Sequence, residues 1–187
     1  VGVLGDIGLT ETNFLGKGQR LALKLQIAAE ASEIDFSFTE PYFLGRELSA
    51  GFDVFRTTRD LQDTSSFDIE QLGFSLRSGY RISEDLSESW RYTFRQSEIS
   101  DVANDASSLI QSEAGKTTLS EVGHTIAYDR RDRSLKPIKG YLMKLDTDLA
   151  GLGGTLSHAR NTVSAATYYS IADQWVFSLR GKAGYIV

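Results

Sequence analysis

Arg20-Leu21-Ala22-Leu23-Lys24-Leu25-Gln26-Ile27-Ala28 sets a branched apolar side chain at every second position, with a small or polar one between. A period of two, rather than 3.6, marks a β-strand with one apolar and one polar face. The alternation recurs outward from this stretch. Ile34, Phe36 and Phe38 alternate with Asp35, Ser37 and Thr39, and Leu48, Ala50, Phe52 and Val54 form the next set. Leu72, Phe74 and Leu76 follow, and Trp90, Tyr92 and Phe94 stand opposite Arg91, Thr93 and Arg95. Tyr141, Met143 and Leu145 oppose Leu142, Lys144 and Asp146, and Trp175, Phe177 and Leu179 oppose Ser178, Arg180 and Lys182. Breaks at turn chemistry give about ten strands, over 1–14, 18–29, 31–41, 47–59, 67–82, 86–99, 117–131, 139–151, 156–171 and 174–187. No segment reads as an amphipathic helix, no strict repeat is apparent, and the polar stretch 100–116 reads as a loop.

Alternation alone does not say which face meets water, because a soluble barrel and a membrane barrel both alternate. Strand length and number favour the membrane arrangement. Spans of about ten residues suit tilted strands that cross a bilayer, and ten or more strands enclose a lumen too wide for side chains to fill. The chain is therefore expected to be all-β, an antiparallel transmembrane β-barrel or a large part of one. Leu21, Leu23, Leu25, Ile27, Phe36, Phe38, Phe52 and Val54 should face lipid, and Lys24, Asp35, Arg91, Arg95, Lys144, Asp146, Arg180 and Lys182 should line the lumen. Phe14, Tyr42, Phe43, Trp90, Tyr128, Tyr141 and Trp175 fall near strand ends, as interfacial girdles require.

Composition removes several classes of function. The 187 residues carry a net charge of −5, which argues against a protein that grips nucleic-acid phosphates. Cysteine is absent, so disulfides, thiolate metal sites and a cysteine nucleophile are excluded. Mean hydropathy of −0.23 and the lack of a long apolar run exclude spanning helices. His124 and His158 lack a second ligand at metal spacing and read as structural or exposed. Asp129-Arg130-Arg131-Asp132-Arg133 reads as a solvated strand end and turn, because alternate strand residues point to opposite faces. Gly151-Leu152-Gly153-Gly154 lacks the Lys-Ser/Thr of a phosphate loop and reads as a hairpin turn. No catalytic constellation, cofactor site or metal site is expected, and the chain does not read as an enzyme.

Three phrases carry more than composition. They are Asn13-Phe14-Leu15-Gly16-Lys17-Gly18, then Thr39-Glu40-Pro41-Tyr42-Phe43, then Tyr128-Asp129-Arg130-Arg131-Asp132 followed by Pro137, Gly140 and Gly151-Leu152-Gly153-Gly154. In that order and spacing, over essentially the whole chain, they resemble the barrel-assembly insertase superfamily of BamA-type outer-membrane proteins, with wording similar to alphaproteobacterial members. The resemblance implies a bacterial outer-membrane protein in which periplasmic POTRA domains precede a sixteen-stranded barrel. It puts Asn13 to Gly18, Pro41-Tyr42-Phe43 and Pro137 to Gly140 at periplasmic turns, and 100–116 outside the cell. Residues 1–187 would then be a partial barrel domain, strands two to eleven, without the POTRA domains, first strand, lid loop or closing strands.

The turn residues Asn13, Phe14, Leu15, Gly16, Gly18, Pro41, Tyr42, Phe43, Asp129, Arg131, Asp132, Pro137 and Gly140 would set strand register rather than do chemistry. The implied partners are unfolded outer-membrane protein clients, accessory lipoproteins of the assembly machinery and the lipid bilayer, with no nucleic acid. Three other readings fit the residues: a related superfamily transporter (TamA-like or two-partner secretion), a passive outer-membrane channel, and a soluble ligand-binding barrel. The terminal strands of a partial barrel should not pair with each other.

Overall fold

Leu21, Leu23 and Leu25 lie directly across from Phe38, Phe36 and Ile34, while Lys24 lies across from Asp35. One register therefore gathers the apolar side chains of two strands on one face and the charges on the other. The computed structural model describes residues 4–104 and 106–187, and this pairing propagates through all of it. Ten strands form one sheet in chain order. They are β1 (Leu4–Phe14), β2 (Gln19–Ala28), β3 (Ala31–Glu40), β4 (Leu48–Asp60), β5 (Asp68–Arg81), β6 (Leu86–Ser100), β7 (Gly115–Asp129), β8 (Gly140–Ala150), β9 (His158–Ala172) and β10 (Trp175–Ile186). Every pairing is antiparallel. The first three residues of the expected opening strand lie outside the described residues.

β1 and β10 are the two outer strands, and no ladder joins them among the described residues. The turns alternate between two rims. Turns 15–18, 41–47, 82–85, 130–139 and 173–174 share the first rim, and those at 29–30, 61–67, 101–114 and 151–157 share the second. On the second rim the Ala103 N–H donates to the Ser66 carbonyl at 3.0 Å, and the Gln62 amide donates to the Asp101 carbonyl at 3.0 Å.

The polar face is the concave one. A single cleft of about 600 Å³ is lined by Ser49 of β4, Arg77 of β5, Arg91 of β6, Glu121 of β7, Asp146 of β8, Arg160 of β9 and Lys182 of β10. Only a sheet curled toward its polar side lets seven successive strands share one cavity. The apolar side is convex and open: Ile27 is 70% exposed, Val54 45% and Leu76 51%. Aromatic pairs tile it, with Phe52 packed between Phe36 and Phe38, and Phe74 against Tyr92 and Phe94. The expected lipid-facing set is thus on the outside and not in a dry core.

Two expectations need correction. The stretch 100–116 is not all loop: Ser108–Glu113 forms α2, capped by the Ser107 hydroxyl, which accepts from the Ile110 N–H at 3.4 Å. The four-residue helix α1 (Gln62–Ser65) sits in the facing turn. Both are too short to show an apolar period. The polar face is also not uniformly polar. Phe55 and Leu119 lie on the Asp35, Gly73 and Arg95 row, and Leu119 is the buried hydrophobic residue of the described chain. Phe55 lies over Gly73, where an added Cβ would come within 2.7 Å of its ring and 2.5 Å of the Phe94 carbonyl oxygen.

Candidate functional site

The concave wall is organised by one transverse row. Thr39, Gly51, Arg77, Arg91, Gly123, Asp148 and Arg160 stand side by side on β3 to β9. Glycine makes room for the long charged neighbour at two places in it. Arg77 spreads over Gly51, donating from Nε and Nη2 to the two carboxylate oxygens of Asp53 at 2.6 and 2.9 Å. Nη2 also reaches the hydroxyls of Ser37 at 3.1 Å and Thr39 at 3.2 Å. A Cβ on Gly51 would come within 3.1 Å of that nitrogen. On the other side, Asp148 leans over Gly123, where a Cβ would meet its Oδ1 at 2.8 Å, and accepts from Arg160 at 2.8 and 3.0 Å.

Arg91 faces Arg77 directly, and like charges in that relation repel. Among the described residues Arg77 has its carboxylate and Arg91 has no ion pair. The wall therefore presents paired charges with one cation, Arg91, that has no carboxylate partner among the described residues. Asp53→Asn should remove the charge from the bidentate contact while leaving the hydroxyl partners. We expect a loss of about 1–2 kcal/mol, read as a lower unfolding midpoint in detergent.

The first-rim turns are internally bonded. Asn13 Oδ1 accepts from the Gly18 N–H at 2.7 Å, and the Asn13 carbonyl accepts from Gly16 at 2.9 Å. Leu15, Gly16 and Gly18 have positive φ of 55°, 71° and 68°, which closes the hairpin with the correct hand. Pro41 ends β3 and lies beside this turn, its Cγ 3.9 Å from where a Gly18 Cβ would stand. Beyond it, Phe43–Gly45 makes a single 3-10 turn. At 130–139, Arg131 clamps Asp129 with two bonds of 2.8 and 2.7 Å, and its side chain is only 16% exposed. Asp132 Oδ1 accepts the backbone N–H groups of Ile138 at 2.9 Å and Lys139 at 3.1 Å, so this carboxylate holds the loop spanning Pro137. The cluster is the strand end and turn expected of it, with Arg130 and Arg133 exposed, and the Arg131 and Asp132 bonds tie it into a knot that the sequence did not show. Sequence spacing hides this because the chain leaves the strand at Arg130 and the strand rule stops applying.

Partial desolvation pushes the Asp132 carboxyl up, but the Lys139 and Ile138 N–H groups and the Arg133 guanidinium together hold it below the usual carboxylate range. A depressed folded pKa means the contribution is complete above the unfolded value of about 3.9 and is lost as pH falls through the folded one. The protection of the Ile138 and Lys139 amides, taken as exchange relative to an unstructured peptide at the same pH, should therefore hold at neutral pH and fall only in acid below about pH 4. Asp132→Asn should remove that acid transition.

The two histidines each meet a glutamate. On the convex face His124 Nε2 lies 2.9 Å from Glu88, which also accepts from Tyr80 at 2.6 Å and Trp90 at 2.8 Å. On the concave face His158 Nε2 lies 3.0 Å from Glu121. The glycine loop 151–157 folds against β7, where the Thr118 carbonyl accepts from the Thr155 N–H at 2.8 Å. These cross-strand partners depend on register and are not visible in sequence spacing.

Comparison with known proteins agrees with this architecture. Residues 13–187 match the model of the Omp85 superfamily domain. The chain is 28% identical over its whole length to the outer membrane protein assembly factor BamA of Neorickettsia risticii (strain Illinois), covering 25% of that protein. It is 22% identical over 183 residues to the human sorting and assembly machinery component 50 homolog, covering 38% of it. A crystal structure of BamA from Haemophilus ducreyi lacking POTRA domains 1–3 superposes on 99% of this chain and 40% of that one, with a TM-score of 0.76 at 18% identity. The chain thus spans a quarter of the length of its BamA relative, and its sheet has the fold of part of the BamA barrel. On the match over residues 13–187, this chain belongs to the Omp85 superfamily.

Proposed function

We propose that this chain is a barrel wall of an outer-membrane insertase, a protein that receives unfolded β-barrel clients and helps them pair and enter the bacterial outer membrane. The observation that carries the reading is the match along the whole chain to a protein named as an outer membrane assembly factor. Relatives named as sorting and assembly components support assembly over passive conduction. The physical task is clear. A strand without partners exposes N–H and C=O groups that lipid cannot satisfy, and a sheet edge supplies partners by strand addition. The present strands would be the fixed wall that holds such an edge in position. The first-rim turns built on Asn13, Gly16, Gly18, Pro41, Asp129, Arg131, Asp132 and Gly140 would hold register in that wall. Accessory lipoproteins are the expected partners of the intact machinery, and no cofactor is called for.

The test is folding of a client barrel into liposomes. The full-length protein should accelerate appearance of the folded, heat-modifiable client, and residues 1–187 alone should not. A full-length protein that conducts solutes but leaves client folding at its spontaneous rate would overturn the proposal in favour of a channel.

A further inference from the structure

Among the described residues, six other than glycine have positive φ: Leu15, Leu44, Ser66, Asp101, Lys136 and Gln174. Four are polar, as the left-handed region tolerates at exposed turns. The two leucines are the exceptions, and they share a context. Both lie in the phrase Phe-Leu-Gly followed by a base, at Phe14-Leu15-Gly16-Lys17 and Phe43-Leu44-Gly45-Arg46. Both have the same backbone, φ 55° then 71° and φ 57° then 70°. They occupy the β1–β2 and β3–β4 turns on the first rim, which are tied together by the Gln19 amide donating to Glu40 at 2.6 Å. This short repeat is invisible to a search for long periods.

Nothing among the described residues accounts for leucine at these positions. Asparagine or glycine would relieve the backbone, and the side chains gain no burial, being 72% and 80% exposed. Lys17 and Arg46 are exposed and make no ion pair among the described residues. An apolar prong with a cation two residues later, presented twice on one rim, needs an external partner with an apolar layer beneath an anionic one.

We propose that these two turns are interfacial anchors, seating Leu15 and Leu44 in the phospholipid headgroup layer with Lys17 and Arg46 against lipid phosphate. The inference rests on the membrane-barrel reading above and commits to lipid because of position. The first apolar row of the convex wall at this end is Leu21, Phe38 and Phe52. From Leu21 to Gly18, the last residue of the turn, is three residues, about 10 Å along a strand and about 7 Å of depth for a strand tilted by roughly 45°. The headgroup region on each side of a bilayer is about 5–7 Å deep, which puts the two exposed leucines at its level. Tyr42 and Phe43, both exposed beside Leu44, are residues that favour the same layer. Anchoring there would fix the height of β1 to β4, and with it the outer strand β1, relative to the bilayer.

The test uses the full-length protein in proteoliposomes containing anionic phospholipid. A single environment-sensitive fluorophore is placed at Leu15→Cys, Leu44→Cys or, as control, Val54→Cys in the middle of the convex band. Quenchers are lipids spin-labelled at the headgroup or at mid-chain. The Leu15 and Leu44 labels should be blue-shifted and lose emission to the headgroup quencher, and the Val54 label to the mid-chain quencher. Lys17→Glu combined with Arg46→Glu should weaken the quenching at Leu15 and Leu44 and leave Val54 unchanged. Water-like emission at both turns overturns the proposal, as does quenching that ignores the double charge reversal. A blue-shifted label that no lipid quencher reaches would indicate a protein partner and also overturns it. If Val54 is unquenched as well, the membrane reading itself fails, which separates the two claims.

Discussion

Leu23→Arg is expected to prevent the wall from assembling in a bilayer, while Lys24→Leu one residue away should be nearly silent. Leu23 stands across from Leu9 and Phe36 in the convex band. An arginine at the middle of a lipid face costs about 2–4 kcal/mol. Lys24 points to the concave side and pairs with Glu33 at 3.0 Å, with both side chains about a third exposed or more. Such a pair contributes about 0–1 kcal/mol. Folding into liposomes, followed by the mobility shift between heated and unheated protein, should therefore fall sharply for the first variant alone. Similar loss in both would count against the assignment of faces.

Gly140→Ala should be the most damaging of the turn substitutions. Gly140 has φ of 97°, and a Cβ there would run into the Arg130 carbonyl oxygen and stand 2.9 Å from the Arg131 Cα. Those atoms are backbone, fixed by the Arg130 N–H bond to the Tyr141 carbonyl at 2.8 Å, so no side chain can swing aside. Positive-φ strain and overpacking together amount to about 2–6 kcal/mol. Gly16→Ala is the matched control: φ is 71° but nothing lies within 4 Å of the added carbon. Its cost is strain alone, about 1–3 kcal/mol. Unfolding midpoints in detergent should order the two variants this way, and equal midpoints would show that the 130–139 knot gives way easily.

Strands were legible in the sequence because alternation and turn residues are both local. The stretch from Leu21 to Ile27 needs no partner to declare its two faces, and β2 through β6 begin and end close to where turn chemistry puts them. Contacts between strands were not legible. That Gly51 admits the Arg77 guanidinium, or that Gly123 admits the Asp148 carboxylate, follows only once register brings them side by side. Phe55 and Leu119 escaped because an alternation template weighs one face and treats the other as polar. The Arg131 clamp on Asp129 escaped because it forms across a bend. The tandem Phe-Leu-Gly phrase was in plain view, yet its meaning lies in two φ angles.

The sheet order follows the chain from β1 to β10 without a crossover. Each strand thus finds its neighbour after a loop no longer than that at 101–114, and the entropy of closing such loops grows only as the logarithm of their length. A sheet of this kind can lengthen sideways one hairpin at a time, as a row crystal adds units at its end. The number of unsatisfied edge groups is then the same after the third strand as after the ninth. In an apolar medium, where those groups dominate the energy, the barrier to growth is a constant end term and not one that accumulates with size. A wall with this topology is the kind of product that a catalyst acting only at a growing edge could complete.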